Sequence, residues 1–473
     1  MQSIIDRLVQ HVLDTPFEAF GADVIEAAKM RLIDALSCTV SGAGAPGNDA
    51  AVSVIRAMGG APQASVIGSN ERLPLPYAAM LNSLQTRSFD FEVCGPEPEG
   101  INAGKMVGHV ASTTEPTALN VGEFVNASGK EMLAAVILGG DVAARVSVGN
   151  TFNFDADFEV CGTSNAFGAV AVAGRLMGLS HDELRNAFGI VLNLLGGSYQ
   201  GIWDGADSFK LPGAMAAYNG ILSCQLSQAG FNGVKDAFES RLGYFHLYAK
   251  DPQQESMMAD LGKTYYVRGQ HKMHPSCYGN HNPIECSVAL RDEHGFEGDD
   301  VVSVVIDVHP KRIDHFLNQT PTADDHQPKF LFTIPYGVAN ALYRGLPELE
   351  HYDADGIRDP KVLDLATRVT LEPNLPEGKL HAIRLRVTLK DGRVVELSRD
   401  NPTGWLDNPV THADVVNKYW RNLRYNKQIS EDQGILALEL INNLETVQNV
   451  NELSQQLTVS TTTQNTEPQK TFA

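Results

Sequence analysis

The sequence has few cysteines, a deficit of positive charge and no obvious membrane or export segment. Its six cysteines form no CxxC pair, and such thin use suits a reducing cytoplasm. We expect no apolar run to reach the ~18 residues that span a bilayer, so we predict no membrane association. The N-terminal segment MQSIIDRLVQHVLDTPFEAF has a helical pattern without the continuous apolar stretch of a secretory signal. The composition therefore predicts a cytoplasmic protein.

Acidic residues outnumber basic ones, 57 against 37, which gives a formal net charge of −20. This balance argues against nucleic acid as a partner, because phosphate binding needs a basic surface. An anionic substrate would require lysine, arginine and histidine to be concentrated at one place.

Residues 1–268 have the pattern of a helical domain. In DVIEAAKMRLIDALSCTVSG the apolar residues follow the spacing of one helix face, and the pattern ends near Gly42. KEMLAAVILGGDVAARV and FGAVAVAGRLMGLS are rich in alanine and glycine, which predicts buried helices that pack closely.

The pattern changes after residue 298. VVSVVIDVHP alternates with period two, TRVTLEPN is a second short strand pattern, and IRLRVTLKDGRVVELS predicts a hairpin around Lys390–Gly392. We therefore predict a mainly α fold with an α+β insertion. A large helical domain comprises 1–268 and 404–450, a smaller α+β lid domain comprises 269–403, and 451–473 form a disordered tail.

The stretch KMHPSCYGNH, residues 272–281, concentrates groups that carry chemistry. A structural zinc site would need about four ligands, from His271, His274, Cys277 and His281, in a segment folded tightly on itself. A nucleophilic Cys277 would need a base and an oxyanion site that the sequence does not identify. A pocket wall, with Cys277 as a small buried side chain, is the third interpretation.

A second candidate segment is RSFDFEVCGPEPEGINAGKMVGH, which ends at a predicted helix. Asp90 and Glu92 alternate with two phenylalanines, and Lys105 and His109 follow. Acidic residues before a loop rich in glycine and proline are usually solvated, but the later lysine and histidine favour an active-site loop.

Several segments together resemble the MmgE/PrpD family, which includes 2-methylcitrate dehydratases, cis-aconitate decarboxylases and iminodisuccinate epimerases. AAKMRLIDALSCTVSGAGAP, GGDVAARVSVG, CGTSNAFGAVAVAGRLMGLS, HKMHPSCYGNH, FTIPYGVANALYRG and DNPVTHADVVNKYW carry the resemblance, in the family's order. It implies a helical domain with an α+β lid, a homodimer, and catalysis without a metal or organic cofactor.

The resemblance also implies a set of site residues. Candidate catalytic residues are Asp90, His109, Lys210, Lys272 and Tyr336, and candidate substrate-binding residues are Cys94, Glu159, His274, Cys277 and His281. KMHPSCYGNH then becomes a pocket wall at the domain junction. Cys94 and Glu159 stand where the family has threonine and histidine. Lys210 takes the role of a family lysine that an ungapped match places at Phe209.

The implied chemistry forms a carbanion or enolate beside a carboxylate, which requires cations and a base. The leading interpretation is dehydration of a 2-methylcitrate-like di- or tricarboxylate by α-proton abstraction. Decarboxylation of the cis-aconitate type, epimerisation, and a non-catalytic relative remain alternatives. We expect the charge of Glu159 to repel a third carboxylate, and loss of Lys272 to lower turnover at least ~10²-fold with little effect on the melting temperature.

Overall fold

Helices form most of the N-terminal part of the chain, as the apolar periodicity predicts. The computed structural model describes residues 2–151, 158–376 and 378–459. The helices of this part are α1 (Ile4–Asp14), α2 (Ala22–Gly42), α3 (Asn48–Met58), α4 (Leu75–Arg87), α5 (Ala111–Val125), α6 (Gly129–Gly149), α7 (Ser164–Leu176), α8 (His181–Val191), α9 (Gln200–Asp204), α10 (Leu211–Gln228), α11 (Tyr244–Tyr248) and α12 (Gln254–Met258). A two-residue antiparallel pair, β1 (Ala64–Ser65) and β2 (Arg72–Leu73), lies among them.

The alanine- and glycine-rich helices α6 and α7 pack as closely as their composition predicts. A Cβ atom on Gly139 would lie 2.3 Å from Cγ2 of Val172, and one on Gly168 would lie 2.8 Å from Cβ of Ala143. The small residues are therefore needed for contact between these two helices.

Helix α6 begins at a capping box, in which Ser128 and Glu131 satisfy each other's backbone N–H groups.

Helix α6 corrects the expectation about apolar runs. By length and composition its 21 residues are sufficient to cross a membrane. The whole of this apolar stretch is buried inside the protein, however, and it carries the buried ion pair Asp141–Arg145. This is the pattern of a core helix, and the absence of membrane association stays a prediction.

Within the described residues, the α+β part contains one four-stranded sheet and several helices. Its strands are β3 (Val301–Asp307), β4 (Val369–Glu372), β5 (Ile383–Leu389) and β6 (Val394–Arg399), in the order β4-β3-β5-β6. Only β3 and β4 are parallel. Its helices are α13 (His281–His294), α14 (Gln327–Leu331), α15 (Ile334–Arg344) and α16 (Pro360–Ala366). Buried and half-buried residues alternate along β5, and Gly392 closes the predicted hairpin with φ 89°.

The chain then returns to the helical part through α17 (His412–Asn426), α18 (Glu431–Asn442) and α19 (Asn451–Gln456). Helix α17 packs against α2, so the predicted fold class, a helical domain with an inserted α+β lid, is confirmed. The tail prediction is wrong for the start of its range, because Leu453 of α19 and Leu457, which follows the helix, are buried in the helical core. Residues 460–473 lie outside the described residues.

Candidate active site

The loop that follows α4 directs two acidic side chains away from the apolar core. Phe89 and Phe91 are buried in a core shared with the lid, and the alternating residues Asp90 and Glu92 are also fully buried. Asp90 has φ 47°, a left-handed conformation that aspartate tolerates better than most residues. Both carboxylates lie on the same side of the loop, because Arg87 and His109 each approach both of them.

Two buried cations neutralise these carboxylates. Lys272 Nζ lies 2.8 Å from Asp90 Oδ2 and donates a hydrogen bond of 2.6 Å to the backbone oxygen of Asp90. Arg87 binds Asp90 Oδ1 and lies 3.4 Å from Glu92 Oε1. The two pairs hold fixed charges in a region of low dielectric, where electrostatic interactions are strong.

His109 completes the cluster from the start of α5. Its Nδ1 lies 2.9 Å from Glu92 Oε1, and its Nε2 lies 3.6 Å from Asp90 Oδ1. Burial and the positive charges of Arg87 and Lys272 lower the pKa of His109, although Glu92 opposes the shift. The imidazole is therefore neutral at pH 7, with Nδ1–H donating to Glu92 and Nε2 free to accept a proton.

Glu92, for its part, stays ionised. Burial alone would raise the pKa of this carboxyl, but Arg87 and His109 together hold it well below its usual range. A permanent carboxylate behind the imidazole fixes the ring's tautomer and orientation, as an acidic partner does in many catalytic histidines.

Asp90, Glu92 and His109 are also the group of described residues best placed to bind a metal. Their ligand atoms lie within 4.8 Å of one another. Both carboxylates are already engaged by Lys272 and Arg87, so an added divalent ion would be placed beside two cations. This donor set fits a metal poorly, and independence from metal stays a prediction for a chelator experiment.

A second buried network holds the backbone of the same loop. Asp34 of α2 accepts from the backbone N–H of Val93 at 2.9 Å and from Lys418 Nζ of α17 at 2.8 Å. Lys418 also donates to the backbone oxygen of Phe91 at 2.5 Å, and His271 Nδ1 lies 3.0 Å from Asp34. Helices distant in sequence therefore fix the position of Asp90 and Glu92.

The structure does not bring Lys210 and Tyr336 to this cluster. Lys210 Nζ donates to the backbone oxygen of Pro46 and to Asn48 Oδ1, and burial lowers its pKa to about 8. The Tyr336 hydroxyl donates to the backbone oxygen of His351 at 2.8 Å, and its ring packs in the lid core. Neither side chain contacts Asp90, Glu92 or His109 within the described residues, and the catalytic roles of Lys210 and Tyr336 stay predictions.

The residues of KMHPSCYGNH do not converge on one point, so the zinc interpretation is not supported. His271 binds Asp34, whereas His274 Nε2 lies 3.5 Å from Glu285 Oε1. His281 is buried, stacks on Tyr278 with ring centroids 4.8 Å apart, and has its pKa lowered by burial. Cys277 is half-buried at the junction with the lid. The interpretation of this segment as a pocket wall stays a prediction.

Cys94 lies beside His109, and Glu159 is close enough to Arg87 and Glu92 to interact with their charges, while the substrate-binding roles of Cys94 and Glu159 stay predictions. Cys94 Sγ is 3.7 Å from His109 Nδ1, and burial raises the pKa of its thiol to about 12. Glu159 is buried and accepts a hydrogen bond of 2.8 Å from the backbone N–H of Cys161. Burial raises the pKa of Glu159 even though Arg87 opposes the shift. This shift favours its neutral form and weakens the expected repulsion of a third carboxylate.

Two cavities flank this region. One, of about 430 Å³, lies between segment 97–107 and the lid residues 378–381 and 400–406, and is lined by Glu97, Lys105 and His381 among others. Another, of about 530 Å³, is lined by Gly162 and by residues of 194–219 beside Glu159. Both fall in the size range of small-molecule sites.

Arg87 and the Asp34–Lys418 pair were missed as functional candidates by reasoning from the sequence. Arg87 stands three residues before Asp90, a spacing common to many surface pairs, and nothing in the sequence marks it as buried. Asp34 and Lys418 are 384 residues apart, so only the packing of α17 on α2 reveals their ion pair.

Comparisons with known proteins agree with the fold. Sequence models of the MmgE/PrpD N-terminal domain and of the MmgE/PrpD C-terminal domain match residues 6–257 and 274–444. The chain belongs to the MmgE/PrpD family.

Several curated relatives share a common description. The chain is 26% identical over 460 residues to a cis-aconitate decarboxylase-like protein, oryM, of Aspergillus oryzae (strain ATCC 42149 / RIB 40), covering 88% of this chain and 91% of that protein. It is 24% identical to a cis-aconitate decarboxylase of Aspergillus terreus, over 84% of each chain. It is 22% identical to the cis-aconitate decarboxylase of Homo sapiens, over 81% of this chain and 79% of that one.

Proposed function

We propose that this protein is a lyase that decarboxylates a tricarboxylate of the cis-aconitate type without a metal or organic cofactor. The observation that carries the proposal is the buried cluster in which Arg87 and Lys272 face a neutral His109 across two carboxylates. Relatives described as cis-aconitate decarboxylases support it. The dehydration that the sequence favoured thus becomes the second candidate.

The reaction needs charge stabilisation and one proton. The bond between the leaving carboxylate and its carbon breaks, CO2 departs, and the electron pair is delocalised on to a remaining carboxylate until a proton reaches carbon. Lys272 stabilises this developing charge from its fixed position beside Asp90. His109 Nε2 takes up a proton from solvent water and delivers it to the carbanion carbon, and Glu92 holds the ring from the opposite nitrogen.

One observation favours dehydration as the second candidate. Expulsion of a hydroxyl group needs a general acid, and Glu159 is a buried carboxyl whose raised pKa favours the protonated form. His109 would then remove the α-proton. Epimerisation and a non-catalytic role, which the sequence left open, have no comparable observation in their favour.

Turnover of cis-aconitate and of 2-methylcitrate, measured side by side, tests the proposal. We expect CO2 release from cis-aconitate, loss of at least ~10²-fold in kcat/KM on His109→Gln, and full activity after prolonged EDTA treatment. His181→Gln is the matched control, because His181 is an exposed histidine paired with Asp14. Water elimination from 2-methylcitrate without decarboxylation would favour the second candidate, and loss of activity in EDTA that zinc restores would refute catalysis without a metal.

A further inference from the structure

Arg312 is a buried arginine without an anionic partner. It ends the short 3₁₀ helix Pro310–Arg312, soon after β3, and only 5% of its surface is exposed. Within the described residues its guanidinium has no ion pair and no hydrogen bond. The other deeply buried arginines, Arg31, Arg87 and Arg145, are each paired with a carboxylate. Burying an unpaired charge is unfavourable, so an anion from outside the chain would complete this site.

The surroundings of Arg312 also favour an anion. Its Nη1 lies 3.5 Å from the position of a Cβ atom on Gly279, so the guanidinium rests on the turn Tyr278–Asn280 that leads into α13. The N-terminus of a 14-residue helix such as α13 carries partial positive charge. Arg312 therefore lies close to the turn that leads into α13, and a carboxylate at this point would accept hydrogen bonds from the guanidinium.

This position is on the lid side of the candidate active site. Arg312 belongs to the lid and rests on the turn Tyr278–Asn280, which directly follows Cys277. The same segment of chain begins with Lys272, whose Nζ lies 2.8 Å from Asp90 Oδ2. One short segment therefore joins Arg312 to the cluster of Asp90, Glu92 and His109.

We propose that Arg312 binds a carboxylate of the substrate, the one most distant from the bond that breaks. A guanidinium presents paired N–H donors that match the two oxygens of a carboxylate. Lys272 and His109 act at the reacting end, and Arg312 holds the other end from the lid, so a substrate with a third carboxylate is preferred over one without it. The assignment deepens the proposed function and rests on it for the identity of the reacting end.

Calorimetric binding of two unreactive analogues tests this assignment without depending on turnover. Tricarballylate has the three carboxylates of a tricarboxylate substrate, and methylsuccinate has a methyl group in place of one carboxymethyl arm. We expect Arg312→Gln to weaken tricarballylate binding about 10²-fold and to change methylsuccinate binding less than threefold. Arg312→Lys should retain part of the preference, and Arg393→Gln, at an exposed hairpin arginine, is the matched control that should retain all of it.

Thermal melting without ligand separates this role from a structural one. Removal of an unpaired buried charge should leave the melting temperature of Arg312→Gln equal to or above that of the wild type. Three results would each overturn the assignment. They are a fall of several degrees in the melting temperature of Arg312→Gln, unchanged tricarballylate binding in that variant, and no tricarballylate binding by the wild type. The protein could also bind tricarballylate in a way that depends on Arg312 and yet release no CO2 from cis-aconitate. That result would refute the proposed decarboxylation while supporting the carboxylate site.

Discussion

Replacing Lys272 by methionine should reduce both activity and stability. From the sequence we predicted that loss of Lys272 lowers turnover strongly and changes the melting temperature little. The structure leads us to expect a larger change in melting temperature, because Lys272 is fully buried and binds both the carboxylate and the backbone oxygen of Asp90. A lysine in that position contributes to folding as well as to chemistry.

The size of the stability loss follows from what remains around Asp90. Removing one partner of a buried ion pair costs about 3–5 kcal/mol, because the other charge is left buried without compensation. Arg87 still binds the second oxygen of Asp90, so we expect the lower end, about 3 kcal/mol. Methionine fills most of the volume of the lysine side chain and limits any loss from a cavity.

A double-mutant cycle separates stability from catalysis. Asp90→Asn removes the buried charge that Lys272→Met leaves behind, and asparagine tolerates the left-handed conformation of residue 90. We expect the double variant to regain about 2 kcal/mol over Lys272→Met alone and to stay at least ~10²-fold below wild-type kcat.

Urea unfolding followed by circular dichroism gives the stabilities, and CO2 release from cis-aconitate gives the rates. Wild-type turnover in Lys272→Met would refute the assignment of Lys272 to the site. A double variant no more stable than Lys272→Met would show that the buried pair does not stabilise the fold.

Two further predictions concern pH and assembly. Burial raises the pKa of Glu97 to about 7. The folded state therefore binds the proton of the Glu97 carboxyl more tightly than the unfolded state does. We expect the free energy of unfolding to fall by up to about 3 kcal/mol as the pH rises from about 4.5 to about 7. Glu97→Gln should remove this part of the pH dependence of the melting temperature, measured between pH 5 and pH 8. The same dependence of melting temperature on pH in the wild type and in Glu97→Gln would contradict the prediction. We also predict a homodimer in sedimentation at micromolar concentration. Because α6 and α7 are buried within the chain itself, this prediction now rests on the family resemblance alone, and a monomer would refute it.

The sequence by itself determined the elements and the family. Apolar spacing predicted α2 as far as Gly42, alternation predicted β5 and β6 with their hairpin, and family motifs identified Asp90, His109 and Lys272. These features are local in the chain: a helix face, a strand face or a short motif is written in consecutive residues, so the pattern can be recognised before the fold is known.

Only the tertiary structure decided which charges meet. Asp34 binds Lys418 across 384 residues, Lys210 turns to Pro46 and Asn48, and Tyr336 lies within the lid core. Burial likewise decides that Glu159 has a raised pKa, although its place in the sequence suggested a repelling charge. Pairing and desolvation depend on distances in three dimensions, and no spacing along the chain encodes them. Arg312 shows the same limit, because an unpaired arginine can be recognised only once its neighbours are known.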